Sequence, residues 1–600
     1  MKRNIRAFSM ILALLCVMSM IPMMTVSAEE TNTVEGLVDL SSYADGSTYT
    51  AADGTTTYTV VKSLATLQAN ATMTTNVILG ADIDCKNAAW TAIALSGYTF
   101  DGNGYAIYGM KHSVTANLGL FGGKLGSIAA YQSGQTSVIR NLTVGLPESR
   151  IQMSNTGGGN SGSGALLGDI NKAGLTFTFE NVSVYADITT PHDGVGGFVG
   201  LCRIGTLNFT NCKFYGSIDN GTTGTNPAGG FIGEAGARSG LVTVNMTNCT
   251  NYGAVKTATA EESHAGGFVG KIDQKATTTK VTITNSVNAG SINGMMAGGF
   301  IGYQKSDNSS ASVGSSLDYC LNVGYIEGSQ FASGLVGYIN DKNSGTTMKN
   351  SVNLGALHVS VGTKSYASAN GLTFRYVYST VVENCGSFAT ATAAGSAVVA
   401  MSRSQSGWGG IKATNLHYTE IAGAADLSTV EGYGDATAMT LEEGIAWTNE
   451  LLGDKVGKVV LNNSGTGAVL AAPVFAGVQE SNVEAGKIRL VATLNNSLNY
   501  SAVGFTVELI GGGTITRNCN SVYKKLLSTD SQGFASAVTA EELYGTYLYA
   551  LAIEGIPTEG TVTLKITPYG MGLDQTTIYT GNSYNVVYTN GAVAAITLCD

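Results

Sequence analysis

The chain has 600 residues, of which 79 are glycine, 44 % are hydrophobic and only 12 % are charged, with a formal net charge of −10. An acidic balance without any basic run argues against binding nucleic-acid phosphates, and the hydrophobic content argues against disorder. A charge content far below the usual level of about 25 % points instead to stacked β-coils built from small and neutral polar residues.

The N-terminus reads as an export signal. Lys2, Arg3 and Arg6 precede an almost unbroken apolar run from Phe8 to Met24, and Val26-Ser27-Ala28 supplies the small residues a signal peptidase requires. Cleavage after Ala28 is expected, giving a secreted or cell-surface protein of 572 residues. Loss of the three basic leader residues leaves 29 Lys+Arg against 42 Asp+Glu, a net charge of −13. No later stretch holds enough consecutive apolar residues to span a bilayer.

Residues 29–61 form a lead-in, and Ser63–Gln68 reads as a short capping helix. A repeat then fills 62–438. Gly-Gly-Phe-(Val/Ile)-Gly occurs at Gly196–Gly200, Gly229–Gly233, Gly266–Gly270 and Gly298–Gly302, with weaker copies at Gly164–Gly168, Ser333–Gly337 and Asn370–Phe374. The spacing of Phe198, Phe231, Phe268, Phe300 and Leu335 sets a period of 32 to 37 residues. Around Phe268, three β-like runs make one unit: GGFVGKI, Val281–Ser286 and Ala289–Ile292. The period-2 alternation of the middle run fits a strand with one buried face. About nine coils of a right-handed parallel β-helix, three strands per coil, are expected, with the four phenylalanines stacked in register inside.

Between the glycine motifs, two asparagine rows recur. Asn211, Asn248, Asn285, Asn350 and Asn384 form one, broken by Tyr319, and Asn251, Asn288, Asn322 and Asn353 form the other. Side-chain amides stacked at the strand spacing of about 4.8 Å can bond from coil to coil. The tolerance of asparagine for left-handed backbone explains the first row equally well. Cys212, Cys249, Cys320 and Cys385 share one repeat position and read as small buried core residues.

These GGFxG repeats resemble the GLUG motif of bacterial surface proteins. The lead-in (Val77–Ala94, Thr99–Met110, Gly119–Gly123, Val138–Val144) resembles the first coils of secreted parallel β-helices. The resemblance covers roughly residues 55 to 475. GLUG repeats also accompany IgA-cleaving metalloproteases, but their His-Glu-x-x-His site is missing here, so peptidase activity does not carry over.

Thr440–Leu452 reads as an amphipathic helix, and the family likeness makes 439–476 a closing segment over the last coil. Residues 477–600 lose the repeat. Lys487–Leu494, Val503–Ile510, Tyr547–Ile556 and Thr561–Gly570 alternate as longer strands, which suggests an antiparallel β-sandwich. Cys519 and Cys599 are positioned to pair within it or to stay reduced.

No catalytic, cofactor or metal site emerges. Gly-x-Ser-x-Gly, phosphate-loop, calcium-loop and zinc-cysteine patterns are all missing. Asp82 and Asp84 share one side of a strand and are the best sequence-local carboxylate pair. Glu261, Glu262 and His264 make a weak cation candidate in a loop that reads as solvated. His112, His192, His358 and His417 are scattered. The expectation is therefore a monomeric, non-enzymatic binder of an extracellular glycan or surface ligand, using variable loops at Arg150–Gly162, Thr257–His264 and Gln304–Ser315. The alternative is a carbohydrate-active enzyme, for which clustered charges in a groove would be the sign.

Overall fold

The structure, a computed structural model, describes most of residues 38–599. Outside it lie 1–37, 156–160, 222–225, 237–239, 260–262, 275–278, 307–313, 341–345, 375–379, 404–411, 422–435, 462–467, 483–486, 495–501, 524–533, 537–546, 572–577 and shorter gaps. The expected leader falls in the first of these. The chain divides into two compact units, Leu37–Val469 and the part from Leu470 onward.

The first unit is a parallel β-solenoid. One long face stacks twelve strands, from Thr57–Val61 through Gly205–Thr210, Val242–Thr247 and Thr279–Thr284 to Lys412–Thr414. A second face stacks eight, from Leu167–Ile170 to Ser402–Arg403. A third face joins them.

The glycine motif does not form one straight strand. In the unit around Phe268 it breaks into His264–Gly266 and Val269–Gln274, with a corner between them. The first half continues the third face of the preceding coil, as the uninterrupted strand Ile292–Gly298 shows one coil later. The corner explains the glycines. A Cβ on Gly266 would meet the Val269 carbonyl oxygen at 2.1 Å, and one on Gly267 would meet the Gly299 carbonyl oxygen at 2.0 Å. Both distances are far inside contact, so the turn admits hydrogen alone.

The corner also aims the phenylalanine inward. Phe198, Phe231, Phe268 and Phe300 stack with ring centroids 4.8, 4.8 and 4.9 Å apart, all fully buried. The expected register therefore holds. Phe179 and Phe209 stack beside them at 4.7 Å.

The two asparagine rows differ. Asn251, Asn288, Asn322 and Asn353 lie inside, completely buried, each Nδ2 donating to the next Oδ1 at 2.7 to 2.8 Å. The second N–H of Asn251, Asn288 and Asn322 goes to the carbonyl two residues on, so these buried amides are satisfied. The other row turns the corner between long and third faces. Asn141, Asn181, Asn211, Asn248, Asn285, Asn350, Asn384 and Asn415 all have φ between 46° and 55°, and Tyr319 takes the same conformation at 50°. Turn conformation is common to the whole row. Side-chain ladders run at its two ends, through Asn141, Asn181 and Asn211 and through Asn350, Asn384 and Asn415.

Cys212, Cys249, Cys320 and Cys385 are buried and unbridged, as expected. Cys599 is also unbridged, and the side chain of Cys519 lies outside the described residues.

Ser63 caps the helix Leu64–Ala69 by accepting from the Thr66 amide. Thr440 and Glu443 form a reciprocal capping box at the start of the helix Leu441–Val456. This second helix does not merely close the last coil. Trp447 packs on His417 at 4.5 Å and on Phe388 at 5.8 Å, while Lys455 Nζ lies 5.6 Å from the Tyr319 ring centroid. The helix thus runs back along the flank over several coils.

The second unit is an antiparallel sandwich. A five-stranded sheet contains Val474–Asn482, Lys487–Leu494 and Tyr547–Ile553. A six-stranded sheet contains Ala502–Leu509, Thr561–Met571 and Tyr584–Thr589. Phe475, Phe505, Tyr549 and Tyr584 pack between them.

Candidate functional site

Asp82 and Asp84 both stand exposed. Asp82 Oδ1 accepts from the Ala106 amide and Asp84 Oδ1 from the Lys86 amide, each at 2.8 Å. Lys86 and Asn87 have positive φ, so Asp84 holds a tight turn. The two carboxylates organise backbone.

Glu261 and Glu262 lie outside the described residues, and His264 corrects the expectation made for it. It is a strand residue, 4 % exposed, with its ring stacked on Tyr303 at 4.2 Å. Burial, helped by the Lys271 charge, pushes its pKa down to about 3, so the imidazole is neutral at physiological pH. Burial likewise lowers the pKa of His112. His358 Nδ1 bonds Thr392 Oγ1 at 2.8 Å, and His192 is outside the described residues. The expected loops are partly strand: Ile151–Asn155 and Ile301–Ser306 both belong to the stack. The Thr257–His264 loop is tied down where Ser329 Oγ donates to the Thr259 carbonyl at 3.0 Å.

The glycine corner starts a strand column that sequence reading missed. The residue directly after each motif falls in that column, giving Asp169, Leu201, Glu234, Lys271, Tyr303 and Tyr338 on successive coils. Arg203 Nε pairs with Asp169 at 3.0 Å. Lys271 Nζ lies 3.2 Å from Glu234 Oε1 on the preceding coil and 2.9 Å from Asp273 Oδ2 on its own strand. Burial pushes the Glu234 carboxyl upward against the pull of Lys271. Burial also works against the Lys271 charge, but the two carboxylates outweigh it and hold its pKa above that of an ordinary lysine. The column then turns aromatic. Tyr303 and Tyr338 stack at 5.6 Å, and Phe331 and Phe374 pack beside Tyr338. Reading the repeat column by column is the signal that exposes this row.

The long face has a different character. Its outward positions over three coils are Thr206, Asn208 and Thr210, then Thr243, Asn245 and Thr247, then Lys280, Thr282 and Thr284. Asn245 donates to Asn208 at 2.9 Å and Asn208 to Thr178 at 3.4 Å. The result is a flat, nearly uncharged lattice of hydroxyls, methyls and amides.

Among the described residues no group of three His, Cys, Asp or Glu side chains could hold a metal ion, and no helix is long and apolar enough to cross a membrane. No protein-family model matches the chain, and no curated protein matches it. Among solved structures, a "putative immunoglobulin A1 protease" from Bacteroides ovatus is similar over 68 % of this chain and 91 % of its own. Its identity is 14 % and its TM-score 0.32, too loose a likeness to support any statement about activity.

Proposed function

We propose that this is an exported, non-enzymatic protein that binds an extracellular glycan or surface ligand through the long face of its solenoid. The observation that supports this reading is the lattice centred on Asn208 and Asn245. Its side chains are held in place by cross-coil hydrogen bonds, so little conformational entropy is lost when hydroxyl-rich ligands dock. A glycan-array screen of the mature protein tests it. Specific binding that falls at least tenfold in an Asn208→Lys, Asn245→Lys double variant is expected, and undiminished binding would assign recognition elsewhere.

A second reading, a carbohydrate-active enzyme, draws on the column after the glycine motif, where Glu234 and Asp273 flank Lys271. Every charge in that cluster is already engaged by an opposite one and largely buried, which suits a structural role better than an open dyad. Incubation with pectins, host glycans and protein substrates, with and without calcium, separates the two. Turnover abolished by Glu234→Gln would favour the enzyme.

A further inference from the structure

Among the described lysines, Lys271 is set apart by its surroundings. Lys256 and Lys349 each pair with one carboxylate, both partners being about half exposed. Arg140, Arg150 and Arg203 pair through guanidinium groups, which do not give up a proton and are poor nucleophiles. Lys271 is one-fifth exposed and touches two carboxylates whose side chains are 10 % and 2 % exposed. One carboxylate, Glu234, belongs to the neighbouring coil. The other, Asp273, lies on the same strand as Lys271 and sits at hydrogen-bond distance from the same nitrogen.

We propose that Lys271 Nζ and Glu234 Cδ condense to an amide, so that two adjacent coils are joined covalently. Asp273 acts as the positioning base. It takes a proton from the Lys271 ammonium, and the freed amine attacks the carbonyl carbon of Glu234 in its protonated form. The new N–C bond forms as the C–O bond to the acid hydroxyl breaks. Asp273 returns its proton to that hydroxyl, which leaves as water, and is itself regenerated; the second proton that the nitrogen sheds as the amide forms passes to solvent and replaces the one Glu234 took up on protonation. The overall change is ammonium plus carboxylate to amide plus water, with no oxidant, reductant or activated donor. Two groups held in this way react with an effective concentration of about 10⁵ to 10⁸ M, which offsets the reluctance of a carboxylic acid to condense in water. Burial favours the neutral acid form of Glu234 that the step requires. A cross-coil amide also suits a solenoid whose described cysteines, including all six within the coils, are unbridged.

The test is the intact mass of the purified mature protein under denaturing conditions, combined with a proteolytic map. The expected result is a mass one water below the sequence value, and a branched peptide joining Lys271 to Glu234. The Lys271→Arg variant keeps the charge and the ion pairs and should return to the full mass. An N-terminal glutamate can also lose water by cyclisation, which the map places separately. Linear peptides containing unmodified Lys271 would overturn the proposal, and so would an amide formed with Asp273 instead.

Discussion

Asn288 Nδ2 lies 2.7 Å from Asn322 Oδ1, with both side chains fully buried, in the middle of a four-membered amide ladder. Each amide in that ladder donates forward and accepts from behind. Replacing Asn288 with Leu would strand the Asn251 N–H and the Asn322 oxygen in an apolar interior. Each orphaned group costs about 1–3 kcal/mol. Denaturant unfolding of the solenoid should therefore show a loss of about 2–6 kcal/mol, and a loss below 0.5 kcal/mol would mean that the ladder is incidental.

The phenylalanine stack gives a sharper contrast. Phe268→Ala should cost about 3–5 kcal/mol through the cavity it leaves between Phe231 and Phe300. Thr282→Ala, on the outward side of the neighbouring strand, should change stability by about 0.5 kcal/mol or less. Comparable losses from both would contradict the inward and outward assignment.

Tyr319 occupies a left-handed turn position that asparagine fills in most other coils. A bulky residue there is strained by about 1–3 kcal/mol. Tyr319→Asn should raise the thermal midpoint, less the small contribution of the Lys455 contact. Combining it with Lys455→Ala should preserve most of the gain. A lower midpoint in the double variant would show that the helix depends on this tyrosine.

His264 makes stability depend on pH in a calculable direction. Its pKa is about 3 when folded and about 6.5 when unfolded. The unfolded chain therefore takes up a proton that the folded chain refuses, and stability is full above pH 6.5 and falls as the pH drops toward 3. The slope is about 1.4 kcal/mol per pH unit for this one group. Unfolding free energies at pH 7 and pH 5 should differ more in the native protein than in His264→Phe. Parallel profiles would place the histidine in contact with water.

Burial raises the thiol pKa of Cys202 and Cys385 to about 12 and lifts those of Cys212 and Cys320, and all four repeat-position cysteines are shut away from solvent. Thiol labelling at neutral pH should therefore leave Cys212, Cys249, Cys320 and Cys385 unmodified until denaturant is added. Rapid labelling of the folded protein would show that the coils open locally.

Much of the solenoid was legible because its causes are local and repeated. The spacing of Phe198, Phe231, Phe268 and Phe300 fixes which side chains stack, and the strand period at Val281 and Ile283 fixes which face is buried. The corner inside Gly266–Gly270 was not legible, since glycine permits a bend without specifying one. Tyr319 read as a break in a row, whereas the backbone carries the turn through it regardless. The helix at Leu441–Val456 was visible from its cap and pattern, but its contacts with Phe388 and Tyr319 depend on residues about 60 and 140 positions away. The column after the glycine motif escaped for a related reason. Asp169, Arg203, Glu234 and Lys271 lie more than 30 residues apart, and only the coil stacking makes them neighbours. His264 looked like a loop residue because charged neighbours precede it.

Near-identical coils carry a hazard, because any coil could stack against the wrong neighbour with its phenylalanines and asparagines still matched. The column following the glycine motif removes that degeneracy. Its members differ in charge and shape from coil to coil, so a slip by one repeat would set Lys271 against Leu201 rather than Glu234. Lys271 would keep Asp273 of its own strand but lose Glu234, and breaking one arm of a buried ion pair costs up to about 3–5 kcal/mol, comparable to much of a domain's whole stability. The variable column thus works as an address label, telling otherwise interchangeable turns of the chain which partner is theirs.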